Sequence, residues 1–206
     1  MFVKKLFLAF LTFFVIFGLS ASYERPKLEF TYVKVKPGDT FIGLFQDKWE
    51  IVSRINKVDK YGLTPGMVLK VPLDWELAKK YPFFPEFLQK ETETPKLILV
   101  VIQEQFLAGY EFGKLKFWYP ISSGRKGYPT PMGRFKIIGK ERYGYSYIYK
   151  TPMPWTLAIN KLYALHGGQL PGYPASHGCI RLFLEDAQKL FEWAEIGIKI
   201  LIIDTL

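Results

Sequence analysis

A chain of 206 residues has room for one medium domain or two small ones, and at 49% hydrophobic and 23% charged it can fill a core, which excludes a disordered protein. Its formal net charge of +9, two units of which are Lys4 and Lys5, suits work beside an anionic surface. The lysines are scattered and the one cluster, Gly124-Arg125-Lys126-Gly127, reads as a turn, so no nucleic-acid partner is expected.

The chain opens on Met1-Phe2-Val3-Lys4-Lys5 and an apolar run from Leu6 to Leu19, followed by small residues. This is the pattern of an export signal over residues 1–22. An uncleaved anchor in the inner membrane is the other outcome, although the run is short for a spanning helix. Either way the protein is expected outside the cytoplasm, in the periplasm or cell wall.

Residues 31–73 form a compact unit. Thr31 to Val35 alternates as a strand, and Pro37-Gly38-Asp39-Thr40 turns and caps a helix from Phe41. A second helix is expected over 50–56 and a closing strand over 67–72. The order is β-α-α-β. The run Lys36-Pro37-Gly38-Asp39-Thr40, then Ile55-Asn56, then Leu63-Thr64-Pro65-Gly66 with Leu69, Val71 and Pro72, resembles a LysM module. That resemblance implies binding to glycan strands of peptidoglycan. Phe45 departs from the family, which more often has a small residue there.

Residues 74–95 read as a linker, with a helical turn near Trp75 and breaks at Pro82, Pro85 and Pro95. A module tethered this way is expected to be separable from the residues C-terminal to it. From Lys96 the chain is strand-rich. Leu97 to Ile102 is expected to be buried on both faces, and 106–112 and 115–121 make a hairpin at Gly113-Lys114. Further strands are expected at 134–138 and 198–203, with a helix over 185–196.

Both histidines and the only cysteine lie within His166–Cys179. A lone cysteine in an exported chain is either an inert core residue or a working thiol. The flanking histidines and glycines favour the thiol, because an imidazole is the usual means of generating a thiolate. His166, His177 and Cys179 lack a fourth ligand for zinc, and no papain-type signature surrounds Cys179. A non-catalytic wall-binding protein is the remaining rival, and the intact Cys/His set argues against it.

Ser176-His177-Gly178-Cys179-Ile180-Arg181, the upstream His166-Gly167, and Thr130-Pro131-Met132-Gly133-Arg134-Phe135 resemble the L,D-transpeptidase family. The resemblance covers residues 96–206. It implies a β-rich, sandwich-like catalytic domain with one C-terminal helix, beside the small α+β module. It also implies a reaction. Cys179 attacks the carbonyl of the third residue of a peptidoglycan stem peptide, releases D-alanine and forms a thioester. An amine of a second stem then takes the acyl group; with water as acceptor the enzyme is an L,D-carboxypeptidase. Neither cofactor nor metal is called for.

The same resemblance makes His166 the proton donor and acceptor, with a backbone carbonyl near Gly167 to set its tautomer, and leaves His177 a supporting role. Gly178 permits the turn, the N–H groups of His177, Gly178 and Cys179 are candidate oxyanion donors, and Ser176 orients the turn. Arg181 either binds a substrate carboxylate or braces the loop. Gly167 and the aromatic stretch through Tyr149 and Trp155 are the other candidates to line the substrate cleft.

Overall fold

The computed structural model describes residues 25–206, so the export segment expected over 1–22 lies outside the described residues. Among the described residues no helix is long and apolar enough to cross a membrane.

The first unit comprises β1 (Phe30–Lys34), α1 (Phe41–Phe45), α2 (Trp49–Asn56) and β2 (Val68–Pro72). The expected β-α-α-β order is present, and β1 and β2 pair antiparallel from Phe30↔Pro72 to Lys34↔Val68. Thr40 caps α1, its Oγ1 accepting the N–H of Gly43 at 3.0 Å. Val35, Phe41, Val52, Val58, Leu69 and Val71 form the core. Phe45 is accommodated at its rim, 6.3 Å from the ring of Phe41. Asn56 ties α2 to β2: its side chain donates to the Lys70 carbonyl and accepts the Lys70 N–H, both at 2.8 Å.

The stretch 74–95, expected as a linker, is folded against the sheet. After α3 (Trp75–Ala78), Phe83 and Phe84 are buried. The Tyr110 hydroxyl donates to the Pro85 carbonyl at 2.9 Å, and Phe87 bridges to Lys114. The polar run at 91–94 is also engaged: Thr94 is buried and accepts from Lys199 Nζ at 3.1 Å. Apolar residues between the prolines carry this packing; they obey no period, so no periodicity argument could find it.

The remainder is β3 (Lys96–Val101), β4 (Phe106–Glu111), β5 (Lys114–Ser122), β6 (Gly133–Lys136), β7 (Gly139–Ser146), β8 (Thr151–Ala158), β9 (Ala164–Gly167), β10 (Ile180–Leu182), α4 (Leu184–Trp193) and β11 (Lys199–Ile203). The strands make one nine-stranded sheet in the order β6-β11-β3-β4-β5-β10-β9-β8-β7, rather than two separate layers. The sheet curls, because Ile98 and Val100 of β3 share a core with Leu157 of β8 and Leu165 of β9. Ala187 and Leu190 of α4 fill the inside of the curl. As expected, β3 is buried on both faces: Leu97, Leu99 and Val101 pack outward under Phe84 and Phe106.

One hairpin was not foreseen from the residues, and one helix ends earlier than expected. The hairpin β7–β8 has no clear apolar alternation, and Pro152 and Pro154 argue against a strand. They are tolerated because β9 pairs with β8 only at Leu157 and Ala158, leaving the proline half without a neighbour on that side. The helix expected over 185–196 stops at Trp193. Lys140 Nζ donates to the carbonyls of Phe191 and Ala194, at 2.6 and 2.5 Å, and Lys96 Nζ donates to that of Trp193 at 2.9 Å. These cations occupy the last carbonyls and make an early helix end favourable.

Candidate active site

The curl of the sheet sets His166 and Cys179 on one wall. In β9, His166 pairs in parallel with Arg181 of β10, and Cys179 immediately precedes β10. A cleft of about 500 Å³ opens beside them, lined by His166, His177, Cys179, Arg181, Tyr163 and the β7–β8 hairpin among others.

His166 is buried, 6% exposed, and its Nδ1 lies 2.9 Å from the carbonyl of Gly167. A carbonyl only accepts, so Nδ1 carries the proton and Nε2 is left as the basic nitrogen. Burial, with Arg181 nearby, holds the imidazole pKa below its usual 6.5 despite the Gly167 bond. Cys179 is half-buried. Burial pushes its thiol above the ordinary value, against a backbone hydrogen bond from Ala164 and the charge of Arg181. Both shifts favour the neutral forms. The resting site is a thiol beside a neutral base, not a preformed thiolate–imidazolium pair.

The turn that presents Cys179 is built from hydroxyls. Ser176 Oγ donates to the Cys179 carbonyl and accepts the Gly178 N–H at 3.0 Å. The Gly178 amide is thereby occupied, which removes one of the three expected oxyanion donors. Thr130 Oγ1 accepts the N–H of Gly124 and donates to the carbonyl of Gly178, both at 2.9 Å. Gly178 has φ +111°, and a Cβ there would lie 2.3 Å from the Tyr163 ring, so only glycine fits. Behind the turn, Ser122 Oγ donates to the Tyr173 carbonyl at 2.7 Å, and the Ser123 carbonyl accepts the N–H groups of Ala175 and Ser176. Gln105 in turn holds Ser123 through both its amide atoms.

His177 faces the same cleft but is held differently. Its ring stacks on Tyr149 at 4.3 Å and meets Tyr128 edge-on at 4.8 Å. Its pKa is also lowered, by its partial desolvation and then by Arg125 and Arg181. Arg181 lines the cleft, has no ion pair among the described residues, and lays its side-chain carbons 3.2 Å from where a Gly168 Cβ would stand.

Two expected cleft residues lie elsewhere. Trp155 packs its ring on Phe191 of α4 at 5.5 Å and under the Arg142 guanidinium at 4.8 Å. In the unshifted β7–β8 register it shares the face of Leu157, toward the core and α4, and not that of Thr156 and Ala158, which line the cleft. Gly167 is buried against Leu184 and Pro154, and what it offers the site is its carbonyl to His166. Conversely, the bracing roles of Thr130, Ser122, Ser123 and Gln105 escaped the sequence reading. Only Thr130 carried a signal there, as the first residue of its Thr-Pro-x-Gly-x-Phe run.

Residues 95–203 match the model of the YkuD L,D-transpeptidase catalytic domain. Among solved structures, an L,D-transpeptidase from Stackebrandtia nassauensis is similar at 27% identity over 64% of this chain, with a TM-score of 0.55. The match spans 66% of that protein's chain, just under two thirds. An L,D-transpeptidase fragment from Xylanimonas cellulosilytica shares the fold over 87% of this chain and all of its own, with 20% identity and a TM-score of 0.59. No curated protein matches the sequence. The family match covers more than half of the chain and takes in the cleft, His166 and Cys179 together, so this protein belongs to the L,D-transpeptidase catalytic-domain family.

Proposed function

We propose that this protein is a peptidoglycan L,D-transpeptidase in which Cys179 is the nucleophile and His166 the general base and acid. The observation that carries the reading is the oriented His166: Nδ1 is tied to the Gly167 carbonyl, and Nε2, without a hydrogen-bond partner among the described residues, lies on the wall that also bears the chain's only thiol.

The steps follow from the two neutral groups. Nε2 of His166 takes the thiol proton as Sγ attacks the stem-peptide carbonyl. The amides of His177 and Cys179, which remain after Ser176 occupies that of Gly178, are the donors for the oxyanion, at about 3 kcal/mol each in comparable sites. Collapse breaks the C–N bond, and His166 returns the proton to the departing amine of D-alanine. The thioester is then attacked by an acceptor amine, which gives up a proton to His166, and the thiolate leaves and is reprotonated. Arg181, a cation without an ion pair among the described residues, is suited to hold a carboxylate of the stem. Tyr149 forms part of the cleft wall through its stack on His177.

Residues 1–22 export or anchor the protein, and residues 31–73 act as a LysM-like module that binds the glycan strand; the order and core of that unit support the reading. The test is incubation of the purified enzyme with tetrapeptide muropeptides, then mass analysis. A thioester on Cys179 and cross-linked products are expected. Intact substrate and an unmodified thiol would overturn the reading.

A further inference from the structure

The path from His166 to Cys179 contains no helix and no strand between Gly167 and Ile180. It is nevertheless pinned in two places, by two different parts of the fold. Its second half, from Tyr173 to Ser176, is held by Ser122 and Ser123 at the end of β5. Its first half is held by the N-terminal unit. Asp59 Oδ2 accepts the N–H of Leu170 at 2.6 Å, and the Asp59 N–H donates to the Leu170 carbonyl at 3.2 Å. Val58 and Pro171 form an antiparallel bridge. Gly172 has φ +94°, and a Cβ on it would lie 3.1 Å from both the Asn56 carbonyl and Val58 Cγ2.

This contact adjoins the cleft. Leu170 is 1% exposed, and the two residues before it, Gly168 and Gln169, line the cleft with His166. A second, independent contact locks the same unit in place. Arg54 of α2 makes two hydrogen bonds to the fully buried carboxylate of Asp186 in α4, and Leu184 of that helix packs against Gly167. A flexible glycan tether needs neither a buried ion pair nor a carboxylate clamped on a loop of the other domain. Burial even holds the Asp59 carboxyl above its usual range, against the Leu170 hydrogen bond, so its placement carries a cost that the contact must offset.

We infer that Asp59 is a positioning residue for the reaction, and that the N-terminal unit forms a structural part of the catalytic cleft by fixing Leu170 and with it the Gly168–Gln169 rim beside His166. The inference rests on the reading of Cys179 as nucleophile and His166 as base. It replaces the expectation that the two units are separable.

Asp59→Asn keeps the shape and an acceptor oxygen for the Leu170 N–H; Asp59→Leu keeps the bulk and removes the acceptor. Two readouts on full-length protein decide. The first is the rate of Cys179 alkylation by iodoacetamide against pH, which is unambiguous with a single thiol. The second is the split between kcat and KM on a soluble tetrapeptide. Asp59→Leu is expected to alter the alkylation profile and to lower kcat on the order of 10-fold or more, as small misplacements of reacting groups do. Asp59→Asn should stay close to wild type. A wild-type alkylation profile in folded Asp59→Leu, or an equal loss in Asp59→Asn, overturns the inference.

Should Asp59→Leu fail to fold, hydrogen exchange on the wild-type protein gives the answer. The Leu170 amide is expected to be as protected as those of α2, and exchange at loop rates would count against the clamp. Alkylation needs no peptidoglycan, so a wild-type enzyme that releases no D-alanine would strike the transpeptidase reading while leaving this test intact.

Discussion

The hydroxyl of Thr130 donates to the carbonyl of Gly178 at 2.9 Å, and so joins the segment ahead of β6 to the turn that presents Cys179. The same oxygen accepts the Gly124 N–H, so one buried side chain serves two backbone groups. Thr130→Val keeps the volume and strands both. We expect a loss of about 1–3 kcal/mol in stability. Because the turn is then free to shift, kcat should fall on the order of 10-fold. Calorimetry with steady-state kinetics reads both, and an unchanged kcat would show that Ser176 alone sets the turn.

Cys179→Ala should abolish turnover of stem tetrapeptides and leave the melting temperature nearly unchanged. The side chain is only half-buried, and its contact with the Leu162 carbonyl is long, at 4.0 Å. No other thiol exists in the chain to substitute. D-alanine release above a few per cent of the wild-type rate would remove Cys179 from its role.

The two histidines should separate by pH. With His166 lowered below 6.5, its neutral, basic form persists as the pH falls through 6.5, so the acid limb of acylation should lie below that value. His166→Ala should slow acylation by about 10²–10⁴-fold near neutrality. It should recover in alkaline solution, where the thiol, raised by burial, finally ionises. His177→Ala should do less, because its ring is held by Tyr128 and Tyr149 and the base stays in place. Carbapenem acylation rates across pH provide the check; the reverse ranking, with alkaline rescue of His177→Ala, would move the base to His177.

Arg54→Ala leaves the Asp186 carboxylate buried without its partner, and should destabilise the protein by about 3–5 kcal/mol. Replacing both members with leucine should restore much of that loss, since an apolar pair carries no desolvation cost. Chemical denaturation of the three variants measures this. A mild effect in Arg54→Ala would mean that water reaches Asp186 when the arginine is gone.

Deleting residues 25–72 should weaken sedimentation with insoluble peptidoglycan and also slow acylation by small soluble substrates. The second effect follows from the contacts of Val58 and Asp59 with residues 170–171. Sedimentation and acylation assays on the truncated protein test the two halves separately. Full activity on soluble substrate would show that the loop holds its shape unaided.

Much of the local structure was legible in the residues themselves. Thr40 capping α1, the two-faced burial of β3 and the β-α-α-β order follow from capping chemistry and apolar spacing, which act over a few residues. The pairing of the only cysteine with two nearby histidines was likewise plain as a cluster of chemistry in one short run. What the chain alone could not reveal depends on groups far apart. The β8 prolines are acceptable only because β9 stops short of them, and Trp155 leaves the cleft because its face of β8 is the one that packs on α4. Thr130 is 48 residues from the carbonyl it supports, and Asp59 is 111 residues from Leu170. Hydrogen bonds of that separation leave no period or spacing in the sequence. They exist only once the curled sheet has brought their partners within 3 Å, and they decide how the turn that presents Cys179 is braced and how the N-terminal unit meets the cleft.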